Sequence, residues 1–198
     1  MKLTFLRLSL YGFLADRLLP DVQACEFVRA SLARSLLGIH MGRNVRLRAN
    51  VDFGNAPSMI TLGDGCYVNR RCTFYADQGS VIELGRNVWL GPEVMLWTGT
   101  HQLGPPEKRC GAGIAGPIVI GEGGWLGARV TVLAGVTVGA GCVVGAAALI
   151  NEDMPPHSLI AGVPAKVLRS LPVDPLSEED LPFASRILVK AGGEKPKT

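Results

Sequence analysis

The sequence predicts an all-β protein, a chain wound into a parallel β-helix. Three observations carry that reading. Aliphatic residues, most of them β-branched, recur every six positions, at Ile120, Leu126, Val132, Val138, Val144 and Ile150. A second lane lies four residues further on, at Gly124, Val130, Val136, Cys142, Ala148 and Met154. Glycine follows the first lane at Gly121, Gly127, Gly139 and Gly145. An α-helix cannot hold a strict period of six, because about 3.6 residues per turn would scatter these positions around its surface. Short strands joined by corners do hold it. Three hexads close a triangular coil, both lanes point inward, and glycine or a small polar residue takes the corner.

Ahead of the repeat, Leu3, Phe5, Leu6, Leu8, Leu10, Phe13 and Leu14 form an apolar stretch, interrupted by Arg7, Asp16 and Arg17. It is too short to span a bilayer, and no small-residue cleavage site follows it. A helix is expected to about Leu19, stopped by Pro20, then a second helix through Phe27, Leu32 and Leu36 ending at Gly38. Two roles stay open for this segment, residues 1–40. It caps the open end of the β-helix, whose unpaired strand edges would otherwise template aggregation. Alternatively it offers an amphipathic surface to a membrane, with Lys2, Arg7 and Arg17 beside the apolar face.

The β-helix is expected over 41–170. The period appears at Met41, Leu47 and Phe53, at Leu62, Val68 and Phe74, and at Leu84, Leu90 and Leu96. The steps between Phe53 and Leu62 and between Phe74 and Leu84 break the six, so extra residues bulge at those corners. Leu96 and Ile120 stand four hexads apart, yet 102–116 shows no hexad pattern. With Pro105, Pro106, Gly111, Gly113 and Gly116 it reads as a loop extruded from one coil. Fifteen hexads give about five coils, enough for a continuous core. The remainder, 171–198, is a tail with four prolines. Ser177 and Asp180 there suggest a short helix toward Val189, and 191–198 read as a mobile end.

At 198 residues the chain suits one domain with appendages. Net charge is +3 with scattered basic residues and no aromatic-interleaved basic cluster, which argues against nucleic acid as a partner. Cys66, Cys72 and Cys142 fall on the second inward lane, where a small apolar residue belongs. A core role therefore outweighs metal or disulfide, and a reducing, cytoplasmic setting follows. A zinc site of the β-helix carbonic anhydrase kind needs three convergent histidines. Here His40 precedes the first hexad and His157 follows the last, so no metal is expected. His101 is different. It ends a hexad and opens the extruded loop, which puts its imidazole at a corner, where it can act as a general base near neutral pH.

Thr100 and His101, then the loop, then Gly116, Pro117, Ile118, Val119, Ile120 and Gly121, then Gly124, Trp125, Leu126, Gly127 and Ala128 follow a familiar order. Further on come Gly145, Ala146 and Ala147, then Ala161, Gly162, Val163, Pro164, Ala165, Lys166, Val167, Leu168 and Arg169. Over 41–169 the chain resembles the sugar O-acetyltransferases of the hexapeptide-repeat acyltransferase family, the maltose, galactoside, nodulation-factor and streptogramin enzymes. The resemblance implies a left-handed β-helix, an exception to the right-handed crossover rule. It also implies homotrimers with the site between two subunits, and acetyl-CoA as cosubstrate.

By the same resemblance, His101 is the catalytic base that deprotonates an acceptor hydroxyl, and Trp125 walls the tunnel where pantetheine meets acceptor. Ala128 and Ala146 lie against the pantetheine arm, Asn151 touches the cofactor, Pro164 lies under the adenine, and Lys166 and Arg169 hold CoA phosphates. Asn69 and Arg71 occupy the acceptor half. Arg71 departs from the family, which has asparagine there, and suits a carboxylate or phosphate on the acceptor, unless Asp77 pairs with it internally or it turns outward into solvent. Glu152 also departs, standing where lysine is usual, and leaves Lys166 and Arg169 to carry more of the phosphate charge. The acceptor implied is a sugar hydroxyl or glycan intermediate, handled in the cytoplasm or at the inner face of the membrane. N-acetylation of an amino sugar, antibiotic acetylation and a non-catalytic CoA- or protein-binding β-helix are the rival readings.

Overall fold

In the computed structural model, which describes residues 2–77 and 79–174, the six-residue period becomes a three-faced stack of short strands. Face one carries His40–Met41, Ile60–Leu62, Ile82–Leu84, Ile118–Ile120 and Thr137–Val138. Face two carries Arg46–Leu47, Tyr67–Val68, Trp89–Leu90, Trp125–Leu126, Val143–Val144 and Ser158–Gly162. Face three carries Thr73–Tyr75, Met95–Trp97, Thr131–Val132 and Leu149–Ile150. The chain visits the faces in turn, and neighbours within each face run parallel. Trp125 pairs with Trp89 on one side and with Val143, three hexads on, upon the other. Backbone groups bond directly to the next coil, as in Trp89 N to Gly124 O and Trp125 N to Cys142 O, both 2.8 Å.

Both lanes point inward. Ile120, Leu126, Val132, Val138, Val144 and Ile150 are buried, as are Val130, Val136, Cys142, Ala148 and Met154. Each large aliphatic side chain removed from water stabilises the stack by roughly 1.5–3 kcal/mol. The prism is narrow, so aromatic filling is confined to its N-terminal end, where Phe53 and Phe74 stack at 5.5 Å between ring centroids and Tyr11 meets Phe53 edge-on at 6.0 Å. One break in the period is a 3-10 turn at Pro57–Met59.

The N-terminal segment is helical and shares this core. Helix α1 (Lys2–Gly12) passes into a π-helical stretch, Phe13–Leu18, and Leu19 turns extended before Pro20. Helix α2 (Glu26–Leu37) follows and stops at Gly38, whose φ of 73° is the left-handed conformation that glycine adopts without cost. Ala15, Ala30, Ala33 and Leu37 are buried with the first coil. Buried Arg29 ties the two helices together, donating to the carbonyls of Ala15 (3.0 Å), Leu19 and Pro20 (both 2.9 Å). Asp21 and Glu26 reach into the β-helix. Arg48 donates to Asp21 at 2.9 Å and to Glu26 at 3.3 Å, and Arg70 meets Asp21 at 2.8 Å. The Arg48 hydrogen bond holds the Asp21 carboxyl below the usual carboxylate range.

The extruded segment is more ordered than an irregular loop over 102–116. Gly99–Leu103 and Cys110–Ala115 form an antiparallel ribbon, with His101 opposite Gly113 and Cys110 opposite Leu103. The strands supply one another's backbone partners once the chain has left the coil. At the far end, Ala165–Ser170 folds back antiparallel on Ser158–Gly162. The helix suggested from Ser177 toward Val189 and the end at 191–198 lie outside the described residues.

The inward cysteines lend a direct check. Cys66, Cys72 and Cys142 are buried, and their thiols point at the carbonyls of Gly85, Gly91 and Pro155 in the next coil, at 3.1, 3.2 and 3.1 Å. Burial pushes Cys66 up to about 11 and Cys72 up to about 12, and raises Cys142. Thiolate is therefore scarce at these three up to pH well above neutral. In the folded chain, iodoacetamide at neutral pH should label Cys25 and exposed Cys110 and spare the other three. Peptide mass spectrometry after urea unfolding should show all five labelled.

Candidate functional site

The corner between faces two and three is built from small residues. Coils approach so closely there that a Cβ on Gly91 would lie 2.7 Å from Ala128 N, and one on Gly127 would lie 2.8 Å from Ala146 N. Glycine is required at both. The result is a backbone-floored groove of about 800 Å³, lined by Tyr67, Asn69, Arg71, Glu93, Ala128, Arg129 and Ala146 among others. Its rim departs from the expected corner of glycine or small polar residues. Arg71, Glu93, Arg129 and Ala147 stack on successive coils, all with φ between 58° and 61°. Left-handed backbone costs an L-residue roughly 1–2 kcal/mol, and here the side chains so displayed join in an ion-paired ladder. Arg129 donates to Glu93 Oε2 at 2.8 Å and Arg71 to Glu93 Oε1. The Arg129 hydrogen bond, followed by the nearby Arg71 charge, lowers the Glu93 pKa.

Face two borders this groove and carries an aromatic row on its outer side. Tyr67 and Trp89 lie 5.1 Å apart, with the Arg46 guanidinium 4.8 Å from the tyrosine ring. Trp125 comes next in register, 41% exposed, on the face beside the groove and not within it.

His101 stands elsewhere, on the ribbon that leaves the corner between faces three and one. It is exposed, and its Nδ1 lies 3.1 Å from the Gly111 carbonyl. A carbonyl only accepts, so the neutral ring that makes this bond carries its proton on Nδ1 and keeps the Nε2 lone pair. Asp77 is packed at the foot of the ribbon: its N–H donates to Thr98 Oγ1 at 2.8 Å, and a Cβ on Gly99 would meet its Oδ2 at 2.8 Å. The possible Arg71–Asp77 pairing is thereby corrected. The two residues sit at opposite ends of Thr73–Tyr75, and the Arg71 guanidinium goes to Glu93, a coil away at its own corner.

The remaining residues lie toward the C-terminal end. Asn151 is exposed just beyond Leu149–Ile150, and Pro164 sits in the turn between Ser158–Gly162 and Ala165–Ser170. Arg169 pairs in register with Leu159, and Lys166 donates to Glu152 at 2.5 Å. Glu152 thus occupies the charge of Lys166 directly. Among the described residues, no group of three or more His, Cys, Asp or Glu side chains could hold a metal ion.

A family model described as the hexapeptide repeat of succinyl-transferase matches 117–151. A hexapeptide-repeat acetyltransferase of Vibrio cholerae, solved with acetyl coenzyme A, is 30% identical with a TM-score of 0.71, covering 84% of this chain and 86% of that one. The chain belongs to the hexapeptide-repeat acetyltransferase family. Membership implies the left-handed hand of the β-helix. A maltose O-acetyltransferase of Clostridium difficile is 26% identical with a TM-score of 0.70, over 87% of this chain and 90% of that one. A galactoside acetyltransferase solved with coenzyme A is 27% identical with a TM-score of 0.73, over 85% and 81%. Among curated relatives, a candidate acetyltransferase of Schizosaccharomyces pombe is 40% identical over 112 residues, 57% of this chain. The chain spans only 53% of that relative's length, and 62% of a 42%-identical one from Staphylococcus aureus.

Within this member of the hexapeptide-repeat family, one groove gathers Asn69, Arg71, Ala128 and Ala146, with Trp125 on the adjoining face. His101 and Asp77 sit across face three from that groove, and Asn151, Pro164, Lys166 and Arg169 lie nearer the end of the stack. Glu93, Arg129 and Tyr67 were not singled out from sequence. The strand register would have found the first two, because Arg71, Glu93 and Arg129 each stand four residues beyond the paired row of Tyr67, Trp89 and Trp125.

The ladder makes a pH-dependent contribution of known sign. Glu93 has a lowered folded pKa, so its contribution is present above the unfolded value and is lost as pH falls through the folded one. The pairs are solvent-exposed, hence weak. Glu93→Gln should lower the thermal midpoint at pH 7 by at most about 2–4 °C, and this difference should be smaller at pH 3. Calorimetric melts of both proteins at the two pH values check it.

Proposed function

We propose that this chain transfers an acetyl group from acetyl-CoA to a hydroxyl of a sugar or glycan intermediate, with His101 as general base. The observation that carries the reading is the state of that imidazole. With Nδ1–H given to Gly111, Nε2 is available to accept a proton on an exposed ribbon. In the proposed reaction, Nε2 takes the hydroxyl proton as the oxygen attacks the thioester carbonyl, and backbone N–H groups hold the oxyanion. Collapse of the tetrahedral intermediate breaks the C–S bond, and the imidazolium returns its proton to the CoA thiolate. No covalent intermediate is needed.

The donor assignment draws support from the relatives solved with acetyl coenzyme A and coenzyme A. An oxygen acceptor draws support from the likeness to a maltose O-acetyltransferase. In this reading the pantetheine arm lies on the backbone floor at Ala128 and Ala146, walled by Trp125. Asn151 and Pro164 contact the remainder of the cofactor, and Lys166 and Arg169 meet its phosphates, Lys166 exchanging Glu152 for phosphate. The base and the floor stand at different corners of one prism. A complete site then needs two copies, the ribbon of one protomer reaching the groove of its neighbour, as a homotrimer would arrange.

Asn69, Arg71 and Asp77 complete the acceptor side. Arg71 and Arg129 share a single Glu93 carboxylate, which leaves one cationic charge in excess at the groove rim. That surplus favours an acceptor bearing a carboxylate or phosphate.

Two variants test the reading. His101→Ala should lower transfer by about 10²–10⁴-fold while CoA binding by calorimetry stays intact; near wild-type turnover would overturn the base assignment. Arg71→Asn should shift preference from acidic toward neutral sugars on a matched acceptor panel assayed by mass spectrometry. An unchanged ratio would remove Arg71 from acceptor selection.

A further inference from the structure

Helix α1 is apolar on two sides, and only one of them is used within the chain. Tyr11 and Ala15 face the first coil and are buried. Leu6, Leu10 and Phe13, spaced i, i+4 and i+7 on the opposite side, are 63%, 43% and 56% exposed, and Leu18 follows at 59%. Phe27 and Val28 of α2 are exposed as well. A helix apolar all round is ordinarily buried on every side. The charges are sorted with the same bias. All three carboxylates of 6–37 serve the interior of the chain: Asp16 accepts the Asn50 N–H at 2.8 Å, Asp21 holds Arg48 and Arg70, and Glu26 is buried against Arg48. The exposed charged residues of this stretch are Arg7, Arg17 and Arg34, and Arg34 is occupied by the Gly42 carbonyl at 2.7 Å.

From this sorting we infer that the outer face of α1 docks on an anionic lipid surface. Leu6, Leu10, Phe13 and Leu18 enter the boundary between headgroups and acyl chains, while Arg7 and Arg17 meet headgroup phosphates. A second copy of the same face would bring arginines against arginines without supplying a carboxylate. No described helix is long and apolar enough to cross a membrane, so α1 lies in the interface plane. The inference rests on this surface alone and is independent of the acetyl-transfer reading.

The test is cosedimentation of the full chain with vesicles of phosphatidylcholine mixed with phosphatidylglycerol, against phosphatidylcholine alone. Binding should favour the mixed vesicles and weaken with added salt. Leu10→Ser combined with Phe13→Ser should reduce binding by at least about tenfold. Both side chains point away from the core, so the circular dichroism and melting profile should be retained. Arg7→Gln combined with Arg17→Gln should erase the preference for anionic vesicles, at about fivefold per arginine. Failure of the wild type to bind mixed vesicles would overturn the inference, as would equal binding by the serine variant. So would a serine variant that sediments as a smaller assembly than wild type, because a second copy would then be the occupant.

Discussion

Every coil of this protein must satisfy its peptide groups on the coils before and after it. Bonds such as Trp89 N to Gly124 O and Trp125 N to Cys142 O hold adjacent coils in one register. That constraint decides the rest. It ranks residues vertically, so that a side chain meets those at equivalent positions one coil away. Beyond the Phe53 and Phe74 pair near the N-terminal end, it leaves room for only small or aliphatic side chains inside, and it makes the corners the places where chemistry can vary. The backbone floor at Ala128 and Ala146 is one product of it, and the Arg71–Glu93–Arg129 ladder is another.

The inward lanes were legible in the sequence because burial on a prism imposes a period that no other regular structure shares. The helix stop at Gly38 was legible for a local reason, the left-handed cap. The ribbon was not. Cys110–Ala115 reads Cys, Gly, Ala, Gly, Ile, Ala, with no alternation between an apolar and a polar side, because its partner is one short strand and not a core. The corner ladder escaped for a different reason. Coils differ in length, so residues that touch are separated by unequal numbers of positions and show no single repeat. Arg71 was visible as a departure from a family pattern, but its partner Glu93 could be named only once strand register was known.

Acidic residues are scarce where the arginines gather, and their placement explains how the helices are fastened. Asp21 and Glu26 together serve Arg29, Arg46, Arg48 and Arg70, which lie on α2 and on the first coils. Two carboxylates thus join the helical segment to the β-helix through a partly buried network, where charge pairing is less screened than at the surface. Glu93 plays the corresponding role a coil further along the same corner, in the open. The same chemistry fastens in one place and lines a groove in the other, according to how much water reaches it.

A stack of parallel strands has two raw ends, and this chain treats them differently. Helices lie over the first coil, whereas Ala165–Ser170 turns back antiparallel along the last strand of face two. The reversal sets a strand of opposite direction at that edge of face two, so an identical molecule cannot continue the parallel pattern there. Head-to-tail growth into fibres, the natural hazard of a solenoid with exposed edges, is obstructed at both ends of that face. On face two the chain thus keeps a repetitive, hydrogen-bonded pattern whose edge an identical parallel strand cannot extend.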